Sequence, residues 1–371
     1  MKSIHQNSHF FVFFKKITIL CLLSFLLTVS EAASTFIKSP FNDLTLDLTQ
    51  SHSDFSFYLV GHAYGSYLKR DNMVFPAASL LANIDLFNED PKAKLVVFLG
   101  DIIRNPTHLE LGLFKNSVAT QINLPVFNAI GNHDNSKNSA YKNFFTSSTF
   151  YKFEFSKNLF IILDTELNHG SIIDKQYIFL KKALHKAVAN SSIKNIFIFT
   201  HRLIWLTDNK EFKFYKSHVN SFPQQNNFKK DLLPLLKTAA KKKNLYWISG
   251  DLGLNPLGLA NPIYEKDIHN ITFIGTGIGD TKFDNILKVS VKEGSVDFEV
   301  ISLVGNNMKP LSGYNVKFWK KESIKKSFNK LPWHVLWHRY FHAGAVIGFI
   351  ISFIFLFIIF KIKTLFKETK L

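Results

Sequence analysis

Cysteine is almost missing: the 371 residues hold one, Cys21. It lies inside an apolar run near the N-terminus, so disulfides and thiolate metal ligands are excluded from the rest of the chain. Acidic residues are also scarce, 28 Asp and Glu against 45 Lys and Arg, which leaves a formal net charge of +17. Internal repeats and low-complexity linkers are absent, so solenoid and linker-rich architectures drop out. What is abundant is phenylalanine, 39 residues within a 46% hydrophobic content. A chain of this kind buries a full core, as one large domain or two ordinary ones, and is not disordered.

The basic excess is unevenly placed. Residues 1–32 carry +2, 311–340 carry +6 and 361–371 carry +3, leaving +6 for 33–310. The first segment has Lys2, Lys15 and Lys16, then the apolar ITILCLLSFLLTV (Ile17 to Val29), then Ser30-Glu31-Ala32. That is the three-part pattern of a secretory signal peptide, with cleavage expected after Ala32. Residues 343–360, AGAVIGFIISFIFLFIIF, contain no charge, and with flanking aromatics the stretch 341–360 is long enough for a transmembrane helix. Trp333, Trp337 and Tyr340 precede it like an interfacial belt, and Lys361, Lys363, Lys367 and Lys370 follow it. Basic residues on its two sides balance, so orientation is set by the signal peptide: the body is expected on the exported side, with 361–371 as a short cytoplasmic tail. Residues 311–340 are read as a basic, aromatic collar on lipid, each cation adding about 1 kcal/mol of attraction to an anionic surface. Charge beside a membrane points to membrane lipid as a partner, and no nucleic acid is expected.

The body, 33–310, alternates strand-like and helix-like stretches. FSFYLV (55–60), AKLVVFL (93–99), PVFNAI, FYKFEF with LFIILDT, NIFIFT (195–200), LYWIS, ITFIG and the hairpin ILKVSVKEGSVDFEVISL read as strands. PAASLLANIDLFNED, THLELGLFKNSVATQI, QYIFLKKALHKAVAN and NFKKDLLPLLKTAAKKK have helical spacing, with Pro234 expected to kink the last. The order predicts an α/β fold with mixed central sheets.

Polar clusters fall where the apolar runs stop: Gly61-His62-Ala63-Tyr64, Gly100-Asp101-Ile102-Ile103-Arg104-Asn105, Gly131-Asn132-His133-Asp134, His201-Arg202 and Gly250-Asp251. In α/β sheets the carboxyl ends of strands form the ligand crevice, so these groups should converge. Asp, Asn and His together make a hard oxygen and nitrogen set suited to Mn, Zn or Fe.

GDIIRN and GNHD, 31 residues apart, followed by FIFTHRLIW, give the chain a pattern that resembles the calcineurin-like metallophosphoesterase family over roughly 54–302. The resemblance implies a four-layer sandwich: two mixed β-sheets flanked by helices. It also implies metal-dependent hydrolysis of a phosphoester small molecule with one or two divalent ions. On this reading Asp101, Asn132 and His201 are metal ligands, His133 serves the phosphoryl or leaving oxygen, and Asp134 orients its imidazole; Arg202, next to His201, is a candidate contact to substrate phosphate or a solvated loop residue.

The departures from the family pattern concern the first and last motifs. Where relatives have D-x-H this chain has His62-Ala63-Tyr64, and where they have G-H-x-H it has Gly250-Asp251-Leu252-Gly253. His62 and Asp251 are the candidate substitute ligands, and a reduced or single-metal site follows. Two alternatives stay open: a catalytically inactive pseudophosphoesterase that binds a phosphorylated ligand or a protein at the membrane, and a structural module of an envelope complex.

Overall fold

The computed structural model describes residues 35–328 except 66–74, 135–139, 146–147, 208–209, 212–225, 253–260 and 268, and beyond them Ser352. The signal-peptide and transmembrane expectations lie outside the described residues; among those described, no helix is long and apolar enough to cross a membrane.

The strands in chain order are β1 (Phe36–Lys38), β2 (Thr45–Asp47), β3 (Asp54–Val60), β4 (Ala93–Phe98), β5 (Val126–Asn128), β6 (Tyr151–Phe155), β7 (Asn158–Ile162), β8 (Asn195–Thr200), β9 (Asn244–Ser249), β10 (Ile263–Lys266), β11 (Ile271–Gly275), β12 (Asn285–Lys292) and β13 (Ser295–Ser302). They form a small β1-β2 ribbon, a five-stranded sheet in the order β13-β12-β3-β4-β5, and a six-stranded sheet in the order β10-β11-β9-β8-β7-β6. Both large sheets are mixed: β3, β4 and β5 run parallel beside the antiparallel β12, and β7, β8, β9 and β11 run parallel between antiparallel edges.

The period-two alternation of β3 explains why the two sheets stack. Phe55, Phe57 and Leu59 enter the core between them, while Tyr58 and Val60 join a second cluster on the outer face. Phe57 meets Phe160 of β7 and Phe197 of β8 edge-on, with ring centroids 5.3 and 5.2 Å apart. On the outer face, Leu111 and Phe114 of helix His108–Ser117 cover Val96 and Phe98. On the far side, helices Asp174–Ala189 and Leu233–Ala240 contribute Leu180, Leu184 and Leu236 to the core of the six-stranded sheet. Both faces of each sheet are therefore covered, and the strands read as unbroken apolar runs for that reason.

Four details differ from expectation. The stretch expected to form one helix before β4 makes two short ones, Ala78–Leu81 and Leu86–Glu89. Between them the Asn83 amide donates to the Ser79 carbonyl at 2.8 Å and the Leu303 carbonyl at 3.0 Å, competing with helix continuation. Pro234 marks a change of helix type: Phe228–Leu232 is π-helical and runs directly into the α-helix Leu233–Ala240, so the irregularity expected at the proline falls in the turn before it. β10, an edge strand, carried too short an apolar signal to be read. Finally, the lipid collar does not begin at 311. Leu311, Tyr314 and Trp319 are buried, and the Trp319 indole N–H donates to the Pro262 carbonyl at 2.9 Å. This part of the basic segment, with the first turns of helix Val316–Phe328, caps the globular body; residues 329–340 lie outside the described residues.

Candidate functional site

The carboxyl ends of β3, β4, β5, β8 and β9 lie on one edge, and the chain turns sharply at each. His62 and Asp101 both adopt left-handed backbone, φ 53° and 54°, a conformation that costs a non-glycine residue about 1 kcal/mol or more. The turn is held by the His62 N–H donating to the Gly100 carbonyl at 3.2 Å and the Tyr64 N–H to the Asp101 carbonyl at 3.2 Å. Gly131 is a glycine for a steric reason: a Cβ there would fall 2.3 Å from both the backbone nitrogen and Oδ1 of Asp101.

Five side chains expected as ligands converge. His62 Nε2 is 3.4 Å from Asp101 Oδ2, and His201 Nε2 is 3.3 Å from Asp101 Oδ1. His201 Nε2 is also 3.2 Å from Asn132 Oδ1 and 3.7 Å from Asp251 Oδ2. One ligand atom each of His62, Asp101 and Asp251 lie within 4.8 Å of one another. The outer nitrogens of both rings are tied to backbone carbonyls, His62 Nδ1 to Ile278 at 3.1 Å and His201 Nδ1 to Leu99 at 2.8 Å. A carbonyl only accepts, so each Nδ1 carries hydrogen and each Nε2 points its remaining valence at the carboxylates.

The charges at this centre do not balance by hydrogen bonding alone. Burial disfavours the charged form of His62 and holds its pKa below the ordinary value, against the pull of Asp101 and Asp251. Burial also opposes charge on His201, yet Asp101 and Asp251 outweigh it and lift its pKa to about 10. Burial pushes the Asp101 carboxyl up, but His201, His62 and His133 prevail and hold it well below the usual carboxylate range. The buried Asp251 Oδ2 has no hydrogen-bond partner among the described residues. Acceptors thus outnumber donors in a closed space, and a neutral His62 faces a carboxylate with a lone pair. Those are the features of a site shaped for a cation, and two imidazoles, two carboxylates and an amide oxygen fit a hard or borderline divalent ion.

Two roles expected from the sequence are corrected. Asp134 does not orient the His133 imidazole. Its Oδ2 accepts the N–H groups of Asp101 and Gly131, both at 2.9 Å, and its Oδ1 those of Ile102 at 2.8 Å and Ile103 at 3.3 Å. Burial and then the Asp101 charge push its pKa up to about 6, against those backbone donors. Asp134 therefore holds the loop that carries Asp101, while His133 Nδ1 meets the Arg104 carbonyl at 2.7 Å. Arg202, expected on substrate phosphate, directs its guanidinium to Glu166, with Nε 2.6 Å from Oε1 and Nη2 on Oε2.

Three contributors were not found from sequence. Asn128 of β5 accepts the Gly100 N–H at 2.9 Å; its only signal was an amide inside an apolar strand. Glu110 takes the N–H groups of Arg104 and Asn105 at 2.9 and 2.8 Å, and Glu166 neutralises Arg202; neither stands at a motif spacing.

Two mixed sheets face to face between helices, with an imidazole, carboxylate and amide centre at their common carboxyl edge, define a metallophosphoesterase architecture. The chain belongs to the calcineurin-like phosphoesterase family, whose model matches residues 52–250. Among solved structures it is similar to the purple acid phosphatase PPD1 from yellow lupin (Lupinus luteus) seeds, with 12% identity and a TM-score of 0.51. That likeness covers 70% of this chain and 53% of the lupin protein, so the chain spans about half its length. A conserved uncharacterized Streptococcus pneumoniae protein, described as a predicted phosphoesterase, is matched at 12% identity and a TM-score of 0.32, over 68% of this chain and 92% of that one. No curated protein matches the chain.

Proposed function

We propose that the chain is a metal-dependent phosphoester hydrolase with a reduced, single-cation centre, exported and held at a membrane by residues 341–360. The observation that carries the hydrolase reading is the buried Asp251 Oδ2, without a hydrogen-bond partner among the described residues, amid the convergent atoms of His62, Asp101, Asn132 and His201. These five residues would hold the ion; Mn, Zn and Fe suit the set. A divalent cation there supplies Lewis-acid polarisation of a phosphoryl oxygen and activation of water. His133, its Nδ1 on the Arg104 carbonyl, would exchange a proton with the leaving oxygen through Nε2. Asp134 keeps Asp101 in register through backbone N–H groups. Export and anchoring rest on the lysine-flanked run 17–29 and the uncharged stretch 343–360.

A second reading, a binder of phosphorylated ligands without turnover, is favoured by Tyr64 standing where relatives carry a histidine ligand. Elemental analysis of the detergent-solubilised chain, with release of phosphate from an aryl phosphate in added Mn²⁺, separates the two. Hydrolysis predicts bound metal and a fall of about 10²-fold or more in kcat for His133→Ala. Bound metal with equal rates in both proteins assigns the binder, and negligible metal after soaking in excess Mn²⁺ overturns the metal-dependent reading altogether.

A further inference from the structure

Tyr64 is 1% exposed and sits between the two histidines of the cleft. Its ring centroid is 4.2 Å from that of His62, a proposed metal ligand, and 4.9 Å from that of His133, the proposed proton donor. A side chain in contact with both stands beside the two groups that would act on a phosphoryl group. No described residue hydrogen-bonds its hydroxyl, which is not among the fully enclosed unpaired atoms and so keeps contact with solvent.

We propose that Tyr64 is a substrate-binding residue: its phenol donates a hydrogen bond to a phosphoryl oxygen, at the position where relatives spend a histidine on a second cation. The proposal rests on the phosphoesterase reading and deepens it. A neutral donor beside one ion takes over part of the charge stabilisation that a second ion would give, without displacing Asp101 or His133. It also accounts for a polar residue held against two imidazoles with its hydroxyl unspent.

The probe is inorganic phosphate, titrated calorimetrically into the full-length, detergent-solubilised chain loaded with Mn²⁺. Tyr64→Phe keeps the ring stack and removes only the hydroxyl, so Mn²⁺ content and thermal midpoint should match wild type while phosphate binds about tenfold more weakly. With an aryl phosphate, kcat/KM should fall with Mn²⁺ affinity unchanged, a split that a merely structural role would not produce. Equal phosphate affinity in the two proteins overturns the assignment and leaves the metal centre standing, as does a wild type that takes up Mn²⁺ but not phosphate. A wild type that takes up no Mn²⁺ overturns the phosphoesterase reading itself, and this proposal with it.

Discussion

Asp134→Asn is the substitution that best separates the role seen here from the role read in the sequence. The carboxylate accepts four backbone N–H groups and the Asn128 side-chain amide, divided between its two oxygens. An amide nitrogen in place of either oxygen turns an acceptor into a donor that faces at least two buried N–H groups. Each donor left unpaired costs about 1–3 kcal/mol, and partial relaxation brings the expected loss to about 3–5 kcal/mol. For a domain of this size that lowers the thermal midpoint by roughly 10 °C. Because the Asp101 N–H is among the released donors, Mn²⁺ affinity should fall as well. The assay is thermal unfolding at pH 7.5 with and without Mn²⁺, paired with the pH profile of phosphate release. A midpoint within 2 °C of wild type, together with a shifted profile, would refute the reasoning and return Asp134 to the His133 imidazole.

Three further outcomes follow from the same contacts. Gly131→Ala puts a methyl group 2.3 Å from Asp101 Oδ1, so Mn²⁺ uptake should drop at least about tenfold with circular dichroism unchanged; undiminished uptake would mean the loop has room that its geometry denies. Glu166→Gln removes the charge opposite the Arg202 guanidinium, whose side chain is 13% exposed, and should cost about 3 kcal/mol in urea unfolding. Glu166→Gln with Arg202→Met should recover more than half of that loss, and simple additivity would deny the pair its importance. Asp164, buried and accepting the Glu166 N–H at 2.7 Å, has its pKa raised by burial to about 6 from an ordinary 3.8. A raised folded pKa gives stability that is full below about pH 4 and lost as pH climbs through about 6. Wild type should therefore gain on Asp164→Asn by up to about 3 kcal/mol between pH 7 and pH 4, and a gap independent of pH would exclude Asp164 as the source.

Much of the fold was legible because its signals are local. NIFIFT is β8 residue for residue: its centre, Ile196 to Phe199, is an unbroken apolar run because the strand is buried on both faces, and polar Asn195 and Thr200 mark its two ends. The same rule located Asp101, Asn132, His201 and Asp251 at strand ends. Other features were not legible for physical reasons. Asp134 serves backbone N–H groups, which every sequence possesses, so nothing in the letters distinguishes that duty from orienting a neighbouring ring. Arg202 finds Glu166 across 36 residues with no motif between them. Trp319 fell inside the stretch read as a lipid collar because a tryptophan among lysines has the same composition on lipid as under a β-strand edge.

The sequence by itself determined the alternation of strands and helices, the covered character of both sheets, and the set of polar groups delivered to one edge, because hydrophobic periodicity and turn chemistry act over a few residues. Only the tertiary structure decided which of those groups meet. His201 reaches the centre by bonding the Leu99 carbonyl, 102 residues away and in the other sheet, while His62 is anchored 216 residues from its own position on Ile278. The stacking of the two sheets brings those carbonyls within hydrogen-bond reach, and no short-range pattern encodes it.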